Sequence, residues 1–105
     1  MLAAFTEQPS ISAALVAASF RSPPAADALR AFWADRYARC TPIVERAVHR
    51  GEIPVGTDAG RLLIAATAPT YQHLILFREP IAEQLVDQYA HDAAEAARAG
   101  IYSPT

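Results

Sequence analysis

With 105 residues and a net charge of −2, the chain is one small domain, able to bury roughly 60 to 68% of its unfolded surface and too short for two separate cores. Its nine basic residues are all arginine and are outnumbered by eleven acids, which is the wrong balance for neutralising phosphates along a duplex and excludes a DNA grip by this chain alone. Apolar residues make up 52% of the chain, but 24 of them are alanine, so the composition favours helix while leaving few large side chains for the core.

A lone Cys40 has no internal disulfide partner and no CxxC spacing for zinc, which fits a reducing compartment and makes the cytoplasm the expected location. The opening MLAAFTEQP lacks the basic start and longer apolar run of a secretory signal. The longest uncharged run, Leu62 to Phe77, contains Thr67, Pro69, Thr70, Gln72 and His73 and falls short of the roughly 20 apolar residues that a membrane span needs. Its expected cover is therefore protein.

Residues Leu2 to Phe5 read as the last turn of a helix whose beginning is missing, since four residues cannot nucleate one. The first complete helix is expected over about 9–21, where Pro9 suits a first helical position and Ile11, Leu15 and Ala18 recur at helical spacing. Ser22 followed by Pro23 is an N-cap with proline behind it, opening a long helix over about 23–50. Leu29, Phe32, Trp33, Tyr37, Cys40, Ile43, Val44, Ala47 and Val48 form its apolar side, and Arg30, Asp35, Arg39, Glu45 and Arg46 its wet side. Pro42 lies inside it and removes one backbone bond.

Gly51 stands where a left-handed stop is wanted, Pro54 and Gly56 keep the following loop irregular, and Thr57 or Asp58 is placed to cap the next helix. That third helix is expected over about 58–77. It carries no charge between Arg61 and Arg78, so it needs cover on most sides, more than a four-helix monomer supplies. The last helix is expected over about 80–99, starting at Glu79 and Pro80 and stopping at Gly100. Only two or three residues then join it to the third, which predicts an antiparallel hairpin.

Three segments together carry a resemblance: RAVHRGEI (Arg46, Ala47, Val48, Arg50, Gly51, Glu52 and Ile53), the acidic cap Asp58, and APTYQHLILFREPI from Ala68 to Ile81. The chain resembles the C-terminal regulatory domain of TetR-family transcriptional repressors over roughly Phe5 to Gly100, with Ala68 and His73 departing from the usual pattern. The resemblance implies an all-α antiparallel helical bundle that dimerises through an intersubunit four-helix bundle of its last two helices and holds a small-molecule pocket. The family's N-terminal helix-turn-helix, which enters the major groove, has no counterpart here. A truncated form, or a gene product that starts inside an ancestral regulator, is therefore expected, with DNA reached only through the missing domain.

Within that frame Phe20, Phe32, Trp33, Tyr37, Cys40, Thr67 and Tyr71 are the candidates to line an effector cavity between the long helix and the uncharged one, each weighed against plain core packing. Trp33 and Tyr37 stand out because each carries a polar tip. A small apolar or aromatic effector is the expected ligand. Leu62, Ala66, Tyr71, Leu74, Ile75, Leu85 and Tyr89 are the candidate contacts of a homodimer.

His49, His73 and His91 lie on separate elements without the spacing of a metal site, so no metal and no cofactor are expected. The four glycines form no nucleophile elbow, phosphate loop or dinucleotide fingerprint. Glu52 and Asp58 fall at helix ends, where capping and solvation account for them, so no enzyme activity is expected. The alternative reading is a stand-alone helical interaction protein that heterodimerises with full-length regulators and withholds them from DNA.

Overall fold

The computed structural model describes residues 9–104, with side chains from Ala13 onward; the turn expected at Leu2–Phe5 and the side chain of Ile11 lie outside what is described. Among the described residues four α-helices follow in order: α1 Pro9–Ser19, α2 Pro23–His49, α3 Ala59–Tyr71 and α4 Glu83–Arg98. A π-helical turn, Gln72–Leu76, continues α3. No strand occurs among the described residues. Helix α1 packs on α2, α2 on α3, and α3 on α4, while the π turn also reaches α1. No described helix is long and apolar enough to cross a membrane.

The helix ends follow local chemistry. Ser22 is extended (φ −141°, ψ 115°), and its hydroxyl accepts from the Ala25 amide at 3.3 Å, with proline behind it in the first turn of α2. At the other end Gly51 takes φ +78°, the Glu52 amide donates to the Ala47 carbonyl at 2.9 Å, and the Gly51 amide donates to Val48 at 3.0 Å. This is the Schellman arrangement, which satisfies carbonyls that a helix end leaves open. Asp58, not Thr57, caps α3, accepting from the Arg61 amide at 3.1 Å. The Thr57 hydroxyl instead donates back to the Pro54 carbonyl at 2.7 Å.

Two boundaries differ from the sequence reading. The third helix widens after Tyr71, where the Phe77 amide donates to the Gln72 carbonyl five residues back. The fourth begins at Glu83, not 80. Arg78 adopts a left-handed conformation (φ 55°), and the Glu79 amide donates to the His73 carbonyl at 2.9 Å, which terminates the third helix. Pro80 restrains Glu79 from continuing a helix, and the first bonds of α4 come only from Leu85 and Val86 to the Ala82 carbonyl. The connection is thus residues 77–82, longer than the two or three expected.

The core sits around the hinge. Val44 of α2, Ile53 of the loop, Leu63 of α3 and Ala97 of α4 are buried together, with Tyr37, Cys40, Ala47, Val48, Leu62 and Tyr102 packed around them. Each buried Val, Leu or Ile contributes about 1.5–3 kcal/mol. The Asp58 amide donates to the Tyr102 carbonyl at 2.8 Å, and Arg61 lies 5.4 Å from the Tyr102 ring centroid, so the chain beyond α4 is bound to the start of α3. The loop that opens at Gly51 therefore joins α2 to α3 while placing Ile53 in the core that α2, α3 and α4 share.

Candidate functional site: an aromatic cavity and an open apolar face

Between α2 and the uncharged segment lies a cavity of about 580 Å³ that opens widely to solvent past Ala68, Gln72 and Leu76. Helix α1 contributes Val16 and α2 contributes Trp33 and Tyr37. The other wall comes from Ala68, Pro69 and Tyr71 of α3 and from Gln72, Ile75 and Leu76 of the π turn. None of these side chains carries a charge. Such a lining suits a ligand whose binding rests on apolar area, with a few polar groups to orient it.

Trp33 organises the aromatic part. Its ring meets Tyr71 edge-on at 4.7 Å, meets Phe32 edge-on at 5.2 Å, and stacks on Tyr37 at 6.0 Å. Edge-on and offset contacts place positive ring edges against negative faces, which fixes the rings in position. The Tyr37 hydroxyl lies 3.0 Å from the Thr67 hydroxyl, which itself donates to the Leu63 carbonyl at 2.8 Å. Burial pushes the Tyr71 phenol above its ordinary range, offset in part by the charge of Arg36 and a hydrogen bond from it. The Arg36 guanidinium also lies 5.7 Å from the Phe32 ring centroid.

Of the seven residues expected at an effector cavity, Trp33, Tyr37 and Tyr71 line this one. Thr67 is buried behind Tyr37 and fixes its hydroxyl. Phe32 backs Trp33, and Cys40 packs against the core cluster around Val44. Phe20 is 85% exposed, beyond the end of α1 and away from the lining. Val16, Ala68, Pro69, Gln72, Ile75 and Leu76 were not anticipated at the cavity. The signal was present for three of them, since Ala68, Gln72 and Ile75 recur every three or four residues beside Tyr71.

The residues expected to meet a partner divide as well. Leu62 packs on its own core, and Ile75 lines the cavity. Ala66, Leu74 and Leu85 are half-buried. Tyr89 is engaged across the hairpin, its hydroxyl 3.3 Å from Nε2 of His73, whose ring meets Phe77 edge-on at 5.7 Å. The large apolar side chains left open along this segment are Ile64, Leu76 (70% exposed) and Phe77. Among the described residues no group of three or more His, Cys, Asp or Glu could hold a metal ion.

The remaining charges do little here. Arg50 and Glu52 pair at 2.6 Å across Gly51, a hydrogen bond that lowers the Glu52 carboxyl and raises the guanidinium. Both are solvent-exposed, so salt and solvation screen the pair.

A family model described as tetracyclin repressor-like, C-terminal domain, matches residues 1–93. No curated protein matches the chain.

Proposed function

The chain belongs to the tetracyclin repressor-like C-terminal domain family, and from that premise we propose that it is the effector-binding and dimerisation domain of a TetR-like transcriptional regulator. The domain is regulatory, reaches DNA only through a separate reading head, and catalyses nothing. The effector is a small apolar or aromatic molecule seated against Trp33, Tyr37 and Tyr71.

The observation that carries this reading is the double use of one uncharged segment. Its Ala68, Pro69, Gln72 and Ile75 side chains line the cavity, while Ile64 and Phe77 on the same segment are left open to solvent. Exposed apolar side chains on an uncharged helix favour association with a second copy, and a two-fold pairing of α3 and α4 buries them in a four-helix bundle. An effector that binds one dimer geometry better than another shifts the balance between them, which is how such a domain sets the spacing of attached reading heads.

Phe77→Arg tests the partner face outside the buried cluster around Val44. Equilibrium sedimentation is expected to give a folded monomer with native helical circular dichroism. A dimer unchanged by this substitution and by Ile64→Arg removes that face from the proposal.

A further inference from the structure

Thr67 is buried, and its hydroxyl has one proton and two lone pairs. The proton goes to the Leu63 carbonyl, 2.8 Å away and one helical turn back, because a carbonyl oxygen accepts and never donates. The Tyr37 hydroxyl lies 3.0 Å from the same Thr67 oxygen. With the threonine proton committed, Tyr37 is the donor in that contact. Its own oxygen keeps lone pairs free to accept, and Tyr37 is one of the residues that line the cavity.

That proton order discriminates between ligands. A ligand that carries only acceptors displaces water from the Tyr37 oxygen without replacing the hydrogen bond, and so loses affinity. An anion is drawn by the Arg36 charge beside Tyr71, but it sets its own lone pairs against those of Tyr37 and sheds water against an uncharged lining, at a cost that outweighs the attraction. A cation meets the Arg36 guanidinium, which hydrogen-bonds the Tyr71 phenol on the cavity wall. The perpendicular Trp33 and Tyr71 rings, 4.7 Å apart, favour a flat ligand with edges and faces of its own.

Resting on the ligand-binding reading above, we propose that Tyr37 is a specificity-determining residue. Held as an acceptor by Thr67 and Leu63, it selects neutral, flat ligands that bear a hydroxyl or N–H donor. The cavity takes phenol-like or pyrrole-like molecules in preference to ethers, carboxylates and ammonium compounds of the same shape.

Calorimetric titration of the full chain with 2-naphthol, 2-methoxynaphthalene and 2-naphthoate tests this. The naphthol is expected to bind about tenfold more tightly than the ether, which corresponds to one net hydrogen bond, with the carboxylate weakest. Tyr37→Phe keeps the ring and removes the oxygen, and is expected to erase the naphthol's advantage, weakening the naphthol and relieving the ether's penalty so that the two bind alike. Thr67→Val frees the Tyr37 proton and is expected to shift preference toward the ether; circular dichroism establishes that both variants are folded, and if the valine variant is not, Tyr37→Phe decides alone. Equal affinity for naphthol and ether in the native chain, or an advantage that survives Tyr37→Phe, overturns the proposal and leaves the cavity as a ligand site. Failure of all three compounds to bind overturns the ligand-site reading, and the selectivity with it.

Discussion

Thr67 and Thr70 stand almost one turn apart on the same helix, both buried, and their hydroxyls are in opposite situations. Thr67 is bonded twice, to Leu63 and Tyr37. Thr70 is fully buried, and among the described residues its Oγ1 has no hydrogen-bond partner. Removing a satisfied buried hydroxyl strands its partner, whereas removing an unsatisfied one relieves a desolvation cost. Urea unfolding is therefore expected to show Thr67→Val losing about 1–2 kcal/mol and Thr70→Val gaining about 1 kcal/mol. Losses of equal size at both positions would refute the distinction. Single-residue signals with a local cause were legible in the sequence: Ser22 and Asp58 each accept an amide three residues on, a geometry that needs no tertiary contact. Phe20, Phe32 and Cys40 were not legible as outside the cavity, because their facing depends on how the helices rotate against one another. An apolar stripe reads the same whether its neighbour is a core or a void.

Gly51 ends α2 by backbone conformation alone. At φ +78° an added Cβ would meet nothing within 4 Å, so substitution costs only the left-handed strain. Gly51→Ala is expected to lower stability by about 1–2 kcal/mol and Gly51→Asn by less, since asparagine tolerates that region. Identical unfolding midpoints for the native chain and the alanine variant would contradict the cap. This stop was readable because glycine behind a basic helix end has one common use. The junction of α3 and α4 was not. Pro80 serves equally as a first helical residue or as a breaker, and the left-handed turn falls on Arg78, a residue type that gives no warning of it. The π turn was equally hidden, since it is a change of hydrogen-bond register with no composition of its own. It matters to the site, because Gln72, Ile75 and Leu76 reach the cavity from this turn.

The whole molecule carries more surface than its mass requires. Its accessible area is 6813 Å², against about 5,700 Å² for a compact monomer of its 11.3 kDa. Its radius of gyration is 14.9 Å, against about 13 Å for a compact domain of this length. The surplus, about 1,100 Å², exceeds the roughly 800 Å² that each partner contributes to a standard interface. Together with exposed Ile64, Leu76 and Phe77, it supports a domain completed by its twin. Mean composition gave an early indication of this, since alanine supplies helix without supplying core, and the few large apolar residues are divided between the hinge cluster, the cavity and the open face. The most direct measurement is the mass of the purified chain by equilibrium sedimentation across a wide concentration range. A species of twice 11.3 kDa that persists on dilution into the low micromolar range is expected. A fully helical particle of 11.3 kDa at every concentration up to the highest attainable would contradict it.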